Sequence, residues 1–261
     1  MKLTKGEGVS LEALIFDVDG TLADTERDGH RLAFNAAFRA FGLDWVWDSP
    51  TYGKLLAVTG GKERITHYVN TLRSDFKKTQ DFNDLVVQLH QAKTRYYTEL
   101  LAQGGIPLRT GVKRLLTEAR EQGLRLAIAT TTTPENVTAL LKHSLAAGAE
   151  TWFEQIGAGD IVPAKKPAPD IYQWVLQQMG LKPSQCLAFE DSENGLQSSL
   201  GAGLKTIVTI NDYTALHNFN GAVAVLSDLG SSDTPMQVLS GSAHGKTYVD
   251  LELLRAWHAA P

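Results

Sequence analysis

Leu11-Glu12-Ala13-Leu14-Ile15-Phe16-Asp17-Val18-Asp19-Gly20-Thr21 begins with an apolar run and continues into two carboxylates and a glycine. The apolar run predicts a buried strand that ends at Asp17. Side chains two residues apart on a strand point the same way, so Asp17 and Asp19 can address one site. Gly20 allows the backbone to turn sharply away after them.

Two neighbouring carboxyl groups at a strand end suit the transfer of a phosphoryl group. One can attack phosphorus and form an aspartyl-phosphate, while the other can protonate the leaving oxygen and later activate water. The alternative is a turn or a helix cap, because Asp and Gly both favour turns. The complete motif, from Asp17 to Thr21, is more specific than two aspartates alone and favours the catalytic interpretation.

The chain after this motif divides into a helical part and an alternating part. From Asp24 to about Gln103 the pattern is helical, with an apolar stripe at Leu85, Leu89, Ala92, Tyr96 and Leu100. After Gly104-Gly105, strands are predicted at 124–129, 152–156, 186–189 and 205–210, and helices near 112–119, 134–141, 171–179, 194–201 and 248–258. Strands that alternate with helices predict an α/β fold with a doubly wound parallel sheet. We therefore predict a core of residues 1–22 and 104–261 and an inserted helical domain of residues 23–103.

Three further groups of polar residues follow predicted strands, where ligands of such sheets bind. Thr130 offers a hydroxyl that can hold phosphoryl oxygens, followed by Thr131 and Thr132. Lys166 can neutralise developing phosphoryl charge. Glu190-Asp191 supplies the hard oxygen ligands that Mg²⁺ prefers, together with Asp17.

Each of these groups also has an ordinary structural interpretation. A threonine can cap the helix that begins at Pro134, Lys166 can lie in a solvated turn, and an acid pair can cap a helix. The four groups nevertheless occur together in a fixed order, each at a strand end or in the loop that follows. Their combination favours a phosphoryl-transfer site.

The motifs together resemble the haloacid dehalogenase superfamily of phosphotransferases. The resemblance rests on residues 17–22, Thr130, residues 166–170 and residues 190–192. It implies a Rossmann-like core, a small helical cap inserted after the first strand, and dependence on Mg²⁺. It also implies that Asp17 is the nucleophile and Asp19 the general acid/base, with Asp17, Glu190, Asp191 and the backbone carbonyl of Asp19 as metal ligands.

The predicted cap is similar to that of the CbbY proteins. The similarity lies in residues 24–30, 42–45, 59–64 and 90–94, and the whole resemblance runs from about Leu11 to Leu229. It implies hydrolysis of xylulose 1,5-bisphosphate, an inhibitory by-product of Rubisco, in organisms that fix carbon. Lys165 departs from the wider superfamily, in which a glycine commonly precedes the motif lysine.

The cap carries more cationic residues than a neutral sugar would need. Lys62, Arg64 and Lys93 can clamp a second phosphate, and Gly60-Gly61 allows the backbone to approach a ligand closely. For each cation the alternative is a solvated helix residue. We expect the following residues to bind substrate: Glu26, Gly60, Gly61, Lys62, Arg64, His90, Lys93, Thr131 and Thr132.

Composition limits the partners and the compartment. With 25 Lys and Arg against 29 Asp and Glu, the net charge is −4, which argues against nucleic acid and anionic membranes as partners. The single cysteine, Cys186, allows no intramolecular disulfide and indicates a reducing compartment. We see no signal peptide and no membrane span. We expect a cytoplasmic monomer, or a plastid stromal one if a transit peptide has been removed.

Two alternatives to a sugar-phosphate phosphatase remain at this level. A β-phosphoglucomutase-type enzyme uses the same pair of acids and a similar cap. A sugar-phosphate binding protein without activity is the other, although both Asp17 and Asp19 beside an anionic ligand argue against it. The phosphatase could also act on another small phosphorylated metabolite.

Overall fold

The computed structural model describes residues 9–76 and 81–260. Its centre is one sheet of seven strands: β1 Ala13–Phe16, β2 Arg125–Ala129, β3 Gln155–Gly157, β4 Cys186–Glu190, β5 Lys205–Thr209, β6 Ala224–Leu226 and β7 Val238–Ser240. The strand order is β3-β2-β1-β4-β5-β6-β7. The first six of these strands are parallel, and β7 pairs antiparallel with β6. The predicted doubly wound parallel sheet is confirmed.

Nine α-helices surround or extend this sheet within the described residues. They are α1 Arg31–Ala40, α2 Ser49–Leu55, α3 Gly61–Leu72, α4 Phe82–Ala102, α5 Val112–Glu121, α6 Pro134–Leu140, α7 Asp170–Met179, α8 Glu193–Gly201 and α9 Leu251–Ala259. Among these helices none is long and apolar enough to cross a membrane.

Both faces of the sheet are covered. Leu14 and Phe16 of β1 belong to an apolar cluster that includes side chains of α5, α6 and α9. Ala13 and Ile15 point to the opposite cluster, which includes side chains of α7. This double burial explains why β1 reads as a continuous apolar run and not as an alternating pattern.

The register of the sheet brings the predicted chemical residues to one edge. Phe16 pairs with Ile128 of β2 on one side and with Phe189 of β4 on the other. The backbone N–H of Asp17 donates to the carbonyl of Phe189 at 3.0 Å. The residues that follow these strands therefore meet at the carboxyl end of the sheet.

The inserted segment has an apolar cluster of its own. Phe34, Phe38, Trp45, Trp47 and Tyr52 form its centre, and their rings pack against one another. The last turns of α4 instead join the cluster of the sheet. The exact domain limits, 1–22 with 104–261 and 23–103, stay a prediction.

Three details of the sequence prediction differ from the structure. On α4, Leu89 and Ala92 are buried as expected, but Leu85, Tyr96 and Leu100 are only partly buried. Their neighbours Val86, Tyr97 and Leu101 are buried instead, because the start of α4 packs in the apolar cluster of the inserted segment and its end packs in the cluster of the sheet. The strand predicted at 152–156 begins only at Gln155, after a short 3₁₀ turn, and the short strands β6 and β7 were not predicted.

Candidate active site

Lys166 links two carboxylates at the carboxyl end of the sheet. Its Nζ donates to Asp17 Oδ1 at 2.7 Å, to Glu190 Oε1 at 2.6 Å and to the carbonyl of Ala129 at 2.9 Å. Burial lowers the pKa of Lys166, but Asp17 and Glu190 outweigh this effect and hold it above its ordinary value. Tyr172 donates to the same Glu190 oxygen at 2.5 Å. The lysine is therefore a charged group fixed beside Asp17.

Three buried carboxylates form a group that fits a metal ion. Oxygen atoms of Asp17, Glu190 and Asp191 lie within 4.8 Å of one another. Glu190 Oε2 is buried without a hydrogen-bond partner. Because Lys166 pairs with only two of the three carboxylates, a divalent cation would supply further positive charge, and an all-oxygen donor set suits Mg²⁺. The carboxylate of Asp19 does not belong to this group.

Burial and mutual repulsion perturb these carboxylates. Burial raises the pKa of Asp17 to about 7; Lys166 opposes the rise, while Glu190 and Asp19 add to it. Burial, together with Asp17 and Glu190, raises the pKa of Asp191 well above its usual range. Strong shifts from burial and charged neighbours in a cleft are typical of functional sites.

Asp19 points into the same cavity but has different partners. Its Oδ1 accepts from Thr25 Oγ1 at 2.6 Å and lies 2.8 Å from His30 Nε2. Burial raises the pKa of Asp19, but the charge and hydrogen bond of His30, the Thr25 hydroxyl and Lys93 outweigh it and lower the pKa below its ordinary value. Thr25 and His30 were not among the predicted site residues. They lie in the motif 24–30 that carried part of the resemblance, which was the available signal.

The threonine segment follows β2 as predicted. Thr130 is buried, and its Oγ1 accepts from the backbone N–H of Thr132 at 3.3 Å. Thr132 Oγ1 in turn accepts from Asn136 on α6 at 3.0 Å. Thr130 and Thr131 line the cavity of Asp17, and Thr131 and Thr132 line the adjoining cavity. Thr133 is the N-cap residue of α6, without a side-chain capping bond.

Arg64 reaches the site from α3 of the cap. It is buried, its Nη1 donates to Tyr52 Oη at 2.9 Å, and it lies 3.7 Å from Glu26 Oε2. The Tyr52 hydroxyl donates to Glu26. Tyr52 connects the predicted residues Glu26 and Arg64 and was missed, because nothing in an isolated aromatic residue indicates such a contact.

Lys93 is a buried cation that faces an open space. Its Nζ lies 5.1 Å from the ring centroid of Phe34 and 5.4 Å from that of Tyr97. Burial lowers the pKa of Lys93 to about 8; Asp19 and Glu26 oppose this effect and Arg64 adds to it. Lys93 and His90 line the adjoining cavity with Arg64. Burial, with Lys93 and other cations nearby, lowers the pKa of His90 to about 3, so this ring is neutral.

The glycine pair has a structural reason in addition to the predicted one. Gly60 has φ +97°, which favours glycine. A Cβ on Gly61 would lie 2.6 Å from the ring of His90. Both glycines line the cavity of Lys93. The pair therefore allows close packing against His90, and the predicted approach to a ligand stays a prediction.

Lys62 is the predicted residue that the structure does not bring to the site. Its Nζ pairs with Asp160 at 2.5 Å, and it is absent from the described residues that line the two cavities. Lys165 pairs with the same Asp160 at 2.9 Å and with Glu63 at 3.1 Å. These cap–core ion pairs (Lys62, Glu63, Asp160 and Lys165) join the start of α3 to the loop after β3.

Two adjoining cavities result from this arrangement. The larger, of about 200 Å³, contains Asp17, Lys166 and the acid pair 190–191. The smaller, of about 30 Å³, contains Lys93 and His90. Asp19, Glu26, Arg64 and Thr131 line both of them. The larger cavity holds two carboxylates with the chemistry of a nucleophile and of an acid/base, together with a fixed lysine, and the smaller one adds Lys93 from the cap.

The fold and the site define the class of protein. A sequence model of the haloacid dehalogenase-like hydrolases matches residues 11–203, which is more than half of the chain. The chain belongs to this family, and within it to the CbbY proteins. It is an enzyme, a phosphoric monoester hydrolase of the haloacid dehalogenase type.

The relatives support the narrower assignment. The chain is 49% identical over 249 residues to the plasmid protein CbbY of Cupriavidus necator, covering 95% of this chain and 97% of that one. It is 40% identical to a CBBY-like protein of Arabidopsis thaliana, covering 84% of this chain and 69% of that one. A crystal structure of a CbbY variant from Rhodobacter sphaeroides in complex with xylulose-(1,5)bisphosphate superposes with a TM-score of 0.77 at 43% identity, covering 85% of this chain and 98% of that one.

Proposed function

We propose that this chain hydrolyses xylulose 1,5-bisphosphate at one phosphate, with Mg²⁺ and an aspartyl-phosphate on Asp17. The observation that carries the proposal is the pair of adjoining cavities, one with the nucleophile and one with buried cations. The CbbY structure from Rhodobacter sphaeroides, which holds this sugar bisphosphate, supports the choice of substrate.

In the first half of the reaction the Asp17 carboxylate attacks phosphorus and the bond from phosphorus to the sugar oxygen breaks. Asp19, which takes up a proton when the substrate binds, gives this proton to that oxygen, and the dephosphorylated end of the sugar leaves as an alcohol. In the second half Asp19 takes a proton from water, which attacks the aspartyl-phosphate and releases inorganic phosphate and the Asp17 carboxylate. Each turnover therefore consumes one water and returns both aspartates to their starting state.

The electrostatics of Asp19 suit an acid/base that changes role. Its lowered pKa makes it a carboxylate ready to receive a proton from water. An incoming phosphoryl group would place negative charge beside it, which raises the pKa and favours the protonated acid needed for the leaving oxygen. Thr25 and His30 hold the carboxylate in place through both halves.

Asp17, Asp191 and the backbone carbonyl of Asp19 would hold Mg²⁺, with Glu190 as a further ligand or as a partner of a metal-bound water. When bound, the ion neutralises phosphoryl oxygens and orients the phosphate for in-line attack. Lys166 supplies a fixed positive charge beside Asp17.

The cap provides a place for the phosphate that does not react. Arg64 and Lys93 are buried cations. Arg64 lines both cavities and Lys93 lines the smaller one, and a dianionic group beside them would offset the cost of their burial. Binding energy from this remote phosphate can also hold the cap in place during the reaction, which raises the rate in addition to the affinity. Lys62 is engaged with Asp160, so we assign the clamp to Arg64 and Lys93.

Phosphate release distinguishes the proposal from its alternatives. We would screen mono- and bisphosphorylated pentoses and hexoses with Mg²⁺, using Asp17→Asn as the control, because an amide cannot supply the attacking carboxylate. The proposal predicts free phosphate from xylulose 1,5-bisphosphate with the wild type only. Isomerisation of glucose phosphates without phosphate release would favour a β-phosphoglucomutase-type enzyme, and binding without turnover would favour a regulator.

The biological setting follows from the same proposal. Removal of xylulose 1,5-bisphosphate would protect Rubisco from an inhibitory by-product.

The single cysteine takes no part in the proposed reaction. Cys186 is buried, and burial raises its pKa to about 12, so the thiol is not a reactive group. The cytoplasmic or stromal location and the monomeric state stay predictions.

A further inference from the structure

We propose that Arg109 is a positioning residue that fixes the proposed metal ligand Asp191 by joining the backbones of three loops at the carboxyl end of the sheet. Arg109 does not line the cavity of Asp17; it lies behind it, against a neighbouring cavity. The inference rests on the Mg²⁺ site of the proposed function. It adds to that site Arg109, which lies outside the sequence motifs described above.

The guanidinium of Arg109 donates almost entirely to backbone carbonyls. Nη1 donates to the carbonyl of Gly20, and to the carbonyl and the Oγ1 of Thr209, both at 3.1 Å. Nη2 donates to the carbonyl of Ile210 and to that of Ser227 at 2.8 Å. One buried side chain thus connects the segments that follow β1, β5 and β6. Only the planar fork of an arginine offers donors in these fixed directions.

Two of these segments meet at Asp191. Asn211 follows Ile210, and its Nδ2 donates to Asp191 Oδ2 at 2.7 Å. On the other side, a Cβ on Gly20 would lie 2.2 Å from Asp191 Oδ2 and 2.7 Å from Asn211 Nδ2. Asp191 is therefore held between Gly20 and Asn211. Arg109 bonds the carbonyl of Gly20 and the carbonyl that precedes Asn211, so it sets the distance between the two sides.

The same residue lies where the cap connections leave the core. The backbone N–H of Arg109 donates to the carbonyl of Leu22 at 2.9 Å, and its Nε lies 3.4 Å from Asp24 Oδ1. Ala23 and Leu108 form an antiparallel bridge directly beside it. Arg109 thus holds the loop that carries Asp19, and the segments that connect the cap to the core, in a fixed position relative to the proposed metal site.

The affinity for Mg²⁺ tests the inference, because a residue that only stabilises the fold would not change it. We would measure the dissociation constant of Mg²⁺ by calorimetry on the full chain without substrate, for wild type, Arg109→Lys and the control Arg125→Met. Arg125 also bonds a backbone carbonyl, that of Met179, and pairs with Glu154 away from the site. Loss of a partner behind a metal ligand typically weakens metal binding about 10–100-fold. We expect a weakening in this range for Arg109→Lys and none for Arg125→Met.

A second variant follows the proposed path. Asn211→Ala removes the group that contacts Asp191 without touching the guanidinium, and we expect it to weaken Mg²⁺ binding as well. The double variant Arg109→Lys/Asn211→Ala should be weaker by less than the product of the two single effects, because both act through Asp191. If Arg109→Lys does not fold, Asn211→Ala alone carries the test.

Three outcomes would overturn the inference, and they separate it from the proposed function. Wild-type Mg²⁺ affinity in Arg109→Lys, or in Asn211→Ala, would remove Arg109 from the metal site and leave the proposed function intact. Independent, multiplicative effects of the two substitutions would show that they do not act through one ligand. If the wild type itself binds no Mg²⁺, the metal of the proposed function fails, and the role of Arg109 fails with it.

Discussion

The Nζ of Lys166 lies 2.7 Å from Oδ1 of Asp17, although 149 residues separate them in the chain. The two residues form a buried ion pair that Glu190 shares from the other side at 2.6 Å. The lysine therefore balances the charge of the proposed nucleophile, and in the proposed reaction it would also balance the charge of the transferred phosphoryl group.

Replacing Lys166 should reduce catalysis severely. Lys166→Met keeps the length of the aliphatic chain and removes the charge, and we expect kcat to fall by roughly 10²–10³-fold, as for loss of a fixed electrostatic stabiliser. The matched control is Lys165→Met, which removes the adjacent lysine on the cap–core ion pairs. Phosphate release measured on both variants checks this prediction. Equal activity of the two would contradict the role of Lys166.

Chelation should remove both activity and stability. With EDTA, phosphate release should stop, and addition of Mg²⁺ should restore it. Because Mg²⁺ would bind the folded chain, at 100 times its dissociation constant it should add about 2.7 kcal/mol to the free energy of unfolding. Thermal unfolding with and without Mg²⁺ measures this effect. Asp191→Asn should abolish the Mg²⁺-dependent shift, whereas Asp212→Asn, outside the carboxylate group, should retain it. A full shift in Asp191→Asn would rule out this site.

The cap–core ion pairs should assist closure of the cap. The hydrogen bonds of Lys62 and Lys165 lower the pKa of Asp160 to about 2, so Asp160 is a carboxylate at neutral pH. Exposed ion pairs contribute about 0.2–1 kcal/mol, and we expect Asp160→Asn to raise KM by roughly two- to five-fold. Glu154→Gln, which breaks the ion pair with Arg125 inside the core, should leave KM unchanged. A lowered KM in Asp160→Asn would contradict this role and would indicate instead that a released Lys62 binds the second phosphate.

Lys93 should make stability depend on pH. Its folded pKa of about 8 lies below the ordinary value of 10.5. The unfolded chain therefore binds more protons between these pH values, and the free energy of unfolding rises as the pH increases from about 8 towards 10.5. Below pH 8 the cost of burying the charge is fully present. Lys93→Met should raise the Tm at pH 7 by several degrees, since 1 kcal/mol corresponds to about 2–4 °C in a chain of this size.

The gain from Lys93→Met should shrink as the pH rises from about 8 towards 10.5, because the folded lysine is then neutral and its charge is no longer buried. Lys54→Met, at an exposed position on α2, serves as the control without a buried charge. Melting curves of the three proteins between pH 6 and 10.5 test this prediction. A Tm gain that stays constant over this range would show that Lys93 acts through packing and not through its charge.

The residues predicted from sequence share one property, their place at strand ends. Apolar strands end at or directly before Asp17, Thr130 and Glu190-Asp191. A parallel sheet brings such positions together at its carboxyl end, independently of the conformation of the loops. Lys166 was predictable from its motif in the following loop. The sheet and the helical insert were predictable for a similar reason, because a change from helical periodicity to alternating segments is visible along the chain.

The residues that were missed act through contacts between distant segments. Tyr52, Tyr172 and Asn211 bond functional side chains across the fold, and single polar or aromatic residues carry no periodic signal. Lys62 was predicted to bind substrate, but the structure places it away from the two cavities. A lysine beside a glycine pair has the right charge to bind a phosphate, but in the folded chain Lys62 pairs with Asp160, a carboxylate of the core. Which anion it meets depends on the packing of the cap against the core.

The most direct test of the account is the substrate preference of the wild type. We would compare kcat/KM for xylulose 1,5-bisphosphate, ribulose 1,5-bisphosphate and xylulose 5-phosphate at saturating Mg²⁺, with Arg64→Ala beside the wild type. The account predicts a preference for xylulose 1,5-bisphosphate by orders of magnitude, which Arg64→Ala reduces by losing more on the bisphosphate than on the monophosphate. Equal kcat/KM values for the three substrates, or an equal loss on all of them in Arg64→Ala, would contradict it.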